Sequence, residues 1–217
     1  DRLRSRGLGD VYKRQVQAFG HIKIDVKKIG ADMLSASSHK FHGPKGCGFL
    51  YADKNTGIKP FIYGGGQERG QRSGTENVPG ILGMVKAAEI SHRIMDENNR
   101  KLRKINDYMT DRILNEIDDC ICNGNRENRL SNNINVSFGN IDGKALLVLL
   151  DMEGVYVSGA SACNGGKEKS YVLSSLGVPE KYADGTIRMT MDYTMNMKQA
   201  DYVLNVLKKC VNYLRKK

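Results

Sequence analysis

The 217-residue sequence contains no apolar run that approaches the roughly 20 residues a membrane-spanning helix needs. Its first residues also lack the apolar core of a secretory signal. Because 40% of the residues are hydrophobic, the chain can nevertheless bury a sizeable core. We therefore expect a soluble, cytoplasmic protein of one or two domains with no membrane partner.

Cysteines are few, odd in number and not paired in their spacing. The five stand at positions 47, 120, 122, 163 and 210, and no two form a Cys-x-x-Cys pair. This spacing argues against a disulfide framework and against a cysteine-rich zinc site. We expect free thiols and no permanent metal.

The aromatic residues are not interleaved with the basic ones, although the net charge of the chain is +10. This arrangement bears on whether the positive charge indicates binding to nucleic acid. Residues 1–15 hold five basic and two acidic side chains, a net +3. The other basic residues are spread over predicted helix surfaces and a cluster that includes Lys208, Lys209 and Arg215. A surface that stacks on bases needs aromatics among its basic residues. We expect a basic helix face and no nucleic-acid partner, while anionic substrates or an acidic protein partner stay open.

The first fifteen residues follow neither the helical nor the strand period, and the apolar pattern begins abruptly at Val16. We interpret residues 1–15 as foreign or artefactual sequence. Short strand patterns follow, among them one near Ile22–Ile24 and one at Asp32–Ala36, in the alternating order of an α/β layer.

A long helical pattern runs from Pro79 through Ile117 and links this α/β part to a compact α+β part. The α+β part contains a predicted strand at Thr186–Thr190 and a closing amphipathic helix. The sequence thus predicts one domain over residues 16–94 and a second over residues 95–217.

The segment Ser37-Ser38-His39-Lys40 places a lysine at a transition from strand to loop. A lysine in this setting can form a Schiff base with a carbonyl cofactor. The hydroxyls of Ser37 and Ser38 can bind an anion, and His39 can orient or protonate a ligand. By themselves, these residues fit a solvated lysine in a glycine turn equally well.

Three further segments carry chemistry. Gly64–Thr75 is a glycine-rich loop with two arginines and two hydroxyls, suited to anion binding or to a hinge. Cys163 stands among small residues, which indicates an accessible, mobile thiol, although a buried cysteine in a turn is the alternative. Arg188 lies in an otherwise apolar and hydroxyl-bearing strand, where it needs an anionic partner, either a structural carboxylate or a substrate carboxylate.

Taken in order, four motifs resemble the class V aminotransferases, which are pyridoxal-phosphate enzymes, and most closely the cysteine desulfurases of the NifS/IscS type. The similarity covers residues 16–217. It implies an α/β fold of the fold-type I pyridoxal-phosphate transferases, with a truncated large domain and a small α+β carboxyl-terminal domain. The four motifs are Val16–Gly20, Ser37–Lys40 with Gly43–Gly46, Gly64–Thr75 and Gly159–Cys163.

The resemblance assigns a role to each cofactor residue. Lys40 would hold pyridoxal 5'-phosphate as a Schiff base, and Ser37 and His39 would contact its phosphate. Gln17 would lie against the phenolic oxygen of the ring. Thr75 would reach the phosphate of the neighbouring subunit's cofactor, so a homodimer is implied.

The resemblance also implies the reaction. Arg188 would bind the carboxylate of L-cysteine, Lys40 would move a proton, and Cys163 would attack the substrate sulfur. The products would be L-alanine and a persulfide on Cys163, passed to a sulfur acceptor such as an iron–sulfur scaffold protein. Whether Cys163 transiently ligates an iron–sulfur cluster stays open.

The chain departs from the family pattern at its beginning. The family's large domain starts well before Val16, and the missing part carries a histidine that stacks on the cofactor. The aspartate that pairs with the pyridine nitrogen normally stands three residues before Gln17, where this chain has Arg14. A cation there cannot stabilise a protonated pyridine nitrogen. We predict an incomplete fragment with little or no desulfurase activity.

Two other functions remain open from the sequence. Another class V enzyme, such as a selenocysteine lyase or an aminotransferase, would share the Lys40 site. A non-enzymatic interaction module would instead bind an acidic partner through the basic carboxyl-terminal helix around Lys208 and Lys209.

Overall fold

The computed structural model of the chain describes residues 12–14, 16–159 and 170–216. The chain divides into two compact units, Asp1–Asp96 (the first unit) and Glu97–Lys217 (the second unit). The strands of the described residues are β1 (Tyr12–Arg14), β2 (Met33–Ser37), β3 (Gly48–Ala52), β4 (Cys120–Cys122), β5 (Asn133–Phe138), β6 (Ser158–Gly159) and β7 (Thr186–Thr190). The α-helices are α1 (Val78–Glu116), α2 (Gly143–Met152), α3 (Tyr171–Ser175), α4 (Glu180–Ala183) and α5 (Met197–Arg215).

The first unit is built on a three-stranded sheet in the order β1-β2-β3. Strand β2 is central, parallel to β1 and antiparallel to β3. Leu34 and Ala36 are buried and alternate with less buried neighbours, the pattern of a strand with one face on a core. The core on that face also includes Phe41, Met84 and Ala87, so β2 and the segment that follows it are anchored to helix α1.

Strand β1 falls within residues 1–15, which the sequence predicts to be foreign. Its backbone nevertheless joins the sheet, with Arg14 opposite Ser35 of β2. The pairing shows which sheet position these residues take, and their origin stays a prediction.

The predicted strand near Ile22–Ile24 is wrong. The segment lies in turns and irregular structure, and Ile22 is exposed. The Asp25 carboxylate accepts hydrogen bonds from the backbone N–H groups of Lys27 and Lys28, at 3.0 and 3.1 Å. Such side-chain contacts favour a turn over a strand, so the brief alternation of isoleucine with lysine was misleading.

Helix α1 confirms the long helical pattern predicted from Pro79. It begins at Val78, directly after Asn77, whose side-chain oxygen accepts a hydrogen bond from the backbone N–H of Gly80 at 3.1 Å. Pro79 stands in the first turn, where a missing N–H leaves no intrahelical bond unmade.

The second unit packs helices against an antiparallel sheet in the order β4-β5-β7-β6. Helix α5 starts with a capping box in which Asn196 and Gln199 exchange hydrogen bonds, at 3.0 and 3.1 Å. The core of this unit is formed by fully buried side chains from β5, β7, α1, α2 and α5. They include Ile113, Ile134, Val136, Phe138, Leu146, Leu150, Ile187, Leu207 and Val211.

Three basic residues of α5 bind to other parts of the second unit. Lys208 pairs with Glu116 at 3.4 Å, and Lys209 pairs with Glu153 at 2.7 Å. Arg215 donates to the backbone carbonyl of Asp118 at 2.6 Å. These cations thus have acidic or carbonyl partners within the fold, and the docking of an acidic protein through this helix stays a prediction.

The carboxylate of Glu116 makes the stability of the second unit depend on pH in the acid range. Arg112 and, at 3.4 Å, Lys208 donate to its carboxylate, and these hydrogen bonds lower the pKa of Glu116 from its ordinary value of 4.5 to about 2. A depressed carboxylate pKa stabilises the fold fully above pH 4.5, and the contribution is lost as pH falls toward 2. We therefore expect Glu116→Gln to lower the Tm at pH 7 and to lower it less at pH 3.

Thermal melts at both pH values test this expectation, with Glu127→Gln as a matched variant because Glu127 is exposed. A Tm difference between the Glu116→Gln variant and the parent that keeps the same size at both pH values would contradict it.

Candidate functional site

Strand β2 leads directly into a single turn of 3-10 helix, Ser38–Phe41, which carries Lys40. The backbone N–H of Ser38 donates to the carbonyl of Cys47 at 3.0 Å, next to the start of β3. The carbonyl of Ser38 accepts from the N–H of Gly43, also at 3.0 Å. We call the segment from Ser38 to Gly43 the lysine turn. Lys40 thus lies in a turn of 3-10 helix directly after the strand, where the sequence predicts a transition from strand to loop.

The lysine turn brings three of the predicted site residues together. The Ser37 hydroxyl and the His39 Nδ1 are 2.9 Å apart and share a hydrogen bond. The Lys40 side chain is half-buried, and no hydrogen bond or ion pair joins its amine to any described residue. A lysine amine, a serine hydroxyl and an imidazole are therefore held in adjacent positions by one turn.

Ser38 does not serve as the anion contact that the sequence predicts. Its side chain is fully buried, and its hydroxyl finds no hydrogen-bond partner among the described residues. A Cβ placed on Gly43 would lie only 2.1 Å from that hydroxyl oxygen. Glycine is therefore needed at position 43 for the turn to close over Ser38.

The segment that contains Gln17 packs against the lysine turn. Gln17 itself is exposed, but the ring of Phe19 meets the rings of Phe41 and Phe49 edge to face, with centroids 4.9 and 5.0 Å apart. Gly20 has a positive φ of 81°, and a Cβ there would lie 2.6 Å from the Cβ of Phe41. This contact leaves no room for a side chain at position 20.

The glycine-rich loop at Gly64–Thr75 is closed by its own hydrogen bonds. Ser73 donates its hydroxyl proton to the Gly65 carbonyl at 2.9 Å, and Gly74 donates its N–H to Gln67 at 3.1 Å. Thr75 is exposed, and no hydrogen bond or ion pair of the described residues joins it to the lysine turn. Its predicted role at a neighbouring subunit stays a prediction.

Arg188 lies on β7 in the second unit, with Asn135 of β5 and Ser158 of β6 as its cross-strand neighbours. The Asn135 amide is already engaged, since it accepts from Asn123 at 2.7 Å and donates to the Ile187 carbonyl at 3.3 Å. Within the described part of the chain, the Arg188 guanidinium has no carboxylate partner. Which of the two predicted partners, a structural or a substrate carboxylate, Arg188 binds stays a prediction.

The predicted sulfur-carrying residue, Cys163, lies outside the described residues. The other four cysteines are free thiols, as predicted. Burial raises the pKa of Cys120 and of Cys210, and Cys120 donates to the Ile117 carbonyl at 3.0 Å. These two thiols are therefore poor nucleophiles. No cluster of histidine, cysteine or carboxylate side chains among the described residues is arranged to hold a metal ion.

The sequence did not predict that His21 reaches the lysine turn. Its Nε2 donates to the backbone carbonyl of Lys40 at 3.2 Å. The only signal was its position four residues after Gln17, which by itself indicates no contact.

The first unit thus presents a lysine on a turn after a sheet strand, and the second unit carries on a strand an arginine without a carboxylate partner among the described residues. The family described as Aminotransferase class-V matches residues 15–203. The chain belongs to this family, which confirms the predicted family resemblance and fold class.

Relatives that match most of this chain are named cysteine desulfurases. Cysteine desulfurase IscS of Dictyoglomus turgidum is 46% identical over 201 residues, which cover 92% of this chain and 51% of the relative. Cysteine desulfurase IscS of Methanosarcina thermophila is 45% identical over 201 residues, covering 92% of the chain and 50% of the relative. The chain thus spans about half the length of these relatives.

Solved structures give the same result. A NifS-like protein superposes with a TM-score of 0.85 at 36% identity, covering 94% of this chain and 53% of that one. The NifS-like protein of Rickettsia africae superposes with a TM-score of 0.83 at 30% identity, covering 93% of this chain and 53% of that one.

Among the residues that the structure describes, none of the helices has both the length and the apolar character needed to cross a membrane.

Proposed function

We propose that the complete protein is a cysteine desulfurase, which converts L-cysteine to L-alanine and leaves the sulfur as a persulfide on Cys163. The observation that carries the proposal is the lysine turn, which holds Lys40 beside the hydrogen-bonded pair of Ser37 and His39. The names of the relatives support it, because those that match most of this chain are cysteine desulfurases.

The residues of the lysine turn fit pyridoxal 5'-phosphate, the cofactor on which this family depends. The Lys40 amine, which has no partner among the described residues, would hold the aldehyde, and Ser37 and His39 would bind the phosphate. Gln17 would contact the ring from the segment that packs against the turn. When bound, the cofactor supplies an electron sink for the bonds at the substrate α-carbon.

At one position that contacts the cofactor in the family, this chain has a residue of opposite charge. Arg14 occupies the position at which the family has an aspartate for the pyridine nitrogen, and β1 pairs it with Ser35 in the sheet. Two cations repel, so Arg14 disfavours protonation of that nitrogen. We therefore propose that the 217-residue chain by itself has little or no desulfurase activity.

The chain's own residues would divide the remaining chemistry. Arg188 would bind the substrate carboxylate, and the Lys40 amine would accept and return a proton at the substrate carbon. The Cys163 thiolate would attack the substrate sulfur, so that an S–S bond forms while the C–S bond breaks. The carbon left behind takes a proton and becomes the methyl group of alanine, which balances the reaction.

Partners follow from the same proposal. Thr75 is exposed and would reach the phosphate bound to a neighbouring subunit, which makes a homodimer part of the site. The persulfide would pass to a sulfur-acceptor protein, such as an iron–sulfur scaffold.

Measurement of alanine released from L-cysteine tests the proposal. A protein completed to the length of its relatives should release alanine and form a persulfide, whereas the 217-residue chain should do neither. Cys163→Ala should abolish persulfide formation in the complete protein, with Cys122→Ala as the control thiol.

Alanine released by the 217-residue chain would overturn the prediction that it is inactive. If the complete protein consumes L-cysteine but Cys163→Ala leaves sulfur transfer intact, Cys163 is not the acceptor. Preference for selenocysteine, or transfer of the amino group, would instead assign the protein to the other class V activities.

A further inference from the structure

We propose that His21 is a positioning residue for Lys40. This inference rests on the proposed function, because the position of Lys40 matters only if its amine holds the cofactor. His21 acts on the backbone of the turn, because its Nε2 donates to the Lys40 carbonyl at 3.2 Å.

The carbonyl of Lys40 needs a donor from outside the turn. The last carbonyls of a helix lack partners within it, and a turn of four residues has few internal hydrogen bonds. Histidine side chains near a helix end can satisfy such groups. The next carbonyl, that of Phe41, accepts from the Ser91 hydroxyl of α1 at 3.3 Å. Two successive carbonyls are thus held by side chains from two different segments.

The direction of the hydrogen bond is fixed by its acceptor. A backbone carbonyl can only accept, so the Nε2 of His21 carries the proton. Both the neutral Nε2–H form and the imidazolium satisfy this requirement. The contact is therefore a constant support of the turn and not a pH switch.

His21 is itself held in place. Its backbone N–H donates to the Ala18 carbonyl at 3.0 Å, which closes a turn just before it. Within that turn, Phe19 packs on Phe41, and Gly20 lies directly against the Phe41 side chain. The imidazole is thus presented by a packed segment, as a residue that positions a neighbouring group requires.

Positioning matters here because the Lys40 amine has no bond to any described residue that could orient it. Its location then depends on the backbone of the lysine turn. Removing the His21 donor leaves the Lys40 carbonyl without this partner and lets the turn open more often. We expect the reactivity of Lys40 to fall for this reason.

The test uses the 217-residue chain and two readouts. Amide hydrogen exchange over residues 38–43 reports on the turn. Incubation with pyridoxal 5'-phosphate followed by borohydride reduction reports the fraction of Lys40 modified, by peptide mass spectrometry. We expect His21→Ala to speed exchange and to lower Lys40 modification about fivefold, the effect of losing one net hydrogen bond.

Two further variants make the result specific. His21→Gln retains an N–H donor and should keep most of the Lys40 modification. His92→Ala removes an exposed imidazole from α1 and should change neither readout. Unchanged exchange in His21→Ala would overturn the proposed contact, and faster exchange with unchanged Lys40 modification would overturn the positioning role.

Failure of the proposed function gives a different result. In that case Lys40 of the parent chain is modified no more than the exposed Lys45. This result would contradict both the proposed cofactor site and the positioning role of His21. The exchange measurement then still decides, by itself, whether His21 supports the turn.

Discussion

Replacing Lys40 by alanine should abolish the yellow chromophore that pyridoxal 5'-phosphate forms with the complete protein. The reason is that Lys40 is the lysine of the closed turn, beside the hydrogen-bonded pair of Ser37 and His39 that we propose to bind the phosphate. Absorbance spectra of the parent and the variant, at equal protein and cofactor concentrations, measure the effect.

Lys45→Ala is the matched control for this prediction. Lys45 is exposed and lies just beyond the lysine turn, so its loss should leave the chromophore unchanged. A chromophore that survives Lys40→Ala at full strength would remove the central residue from the proposed site.

A second large effect should follow from removing Arg188. We expect Arg188→Ala to raise the KM of the complete protein for L-cysteine about 10- to 100-fold, the range for a hydrogen bond between charged groups. The guanidinium has no carboxylate partner among the described residues, so an external carboxylate can be its ligand. Steady-state kinetics of alanine release would give KM and kcat separately.

The neighbour of Arg188 provides a sharper version of the same test. Asn135 is its cross-strand partner, and Asn135→Asp would place a carboxylate beside the guanidinium. This internal partner should compete with the substrate and raise KM, while the neutral Asn135→Ser should raise it less. Equal KM values for the two Asn135 variants would show that charge next to Arg188 is unimportant.

Regular elements with a clear apolar pattern were predictable from the sequence. Strand β7 has the predicted bounds, Thr186–Thr190, because its buried residues are framed by Gly185 and by the polar residues that follow Met191. Helix α1 begins within a residue of the predicted start because its apolar spacing persists over many turns and Pro79 marks its first turn.

The structure of the shorter elements depends on side-chain and backbone contacts that the sequence pattern does not indicate. The segment at Ile22–Ile24 alternates like a strand, but the Asp25 side chain favours a turn just after it. The lysine turn was predicted as a loop, although it closes through hydrogen bonds from the Gly43 N–H to the Ser38 carbonyl and from the Ser38 N–H to the Cys47 carbonyl. Neither backbone hydrogen bond leaves a signal in the residue types of this segment.

Some residues of the candidate site were likewise predictable from the sequence, and others were not. Ser37, His39 and Lys40 were predictable because they are neighbours in sequence, and one turn keeps them together. The support of that turn by His21 was not, since the contact joins residues 19 positions apart. The burial of Ser38 was also hidden, because nothing in a serine's neighbours indicates whether its hydroxyl faces solvent or a glycine.

The sheet of the first unit has β1 and β3 as its outer strands, with only β2 between them. Each outer strand has one row of backbone amides and carbonyls that faces away from β2 and has no strand beside it among the described residues. Such an edge accepts a strand from another chain as readily as from its own. The outer edges of β1 and β3 are therefore the two positions at which a further strand can join this sheet.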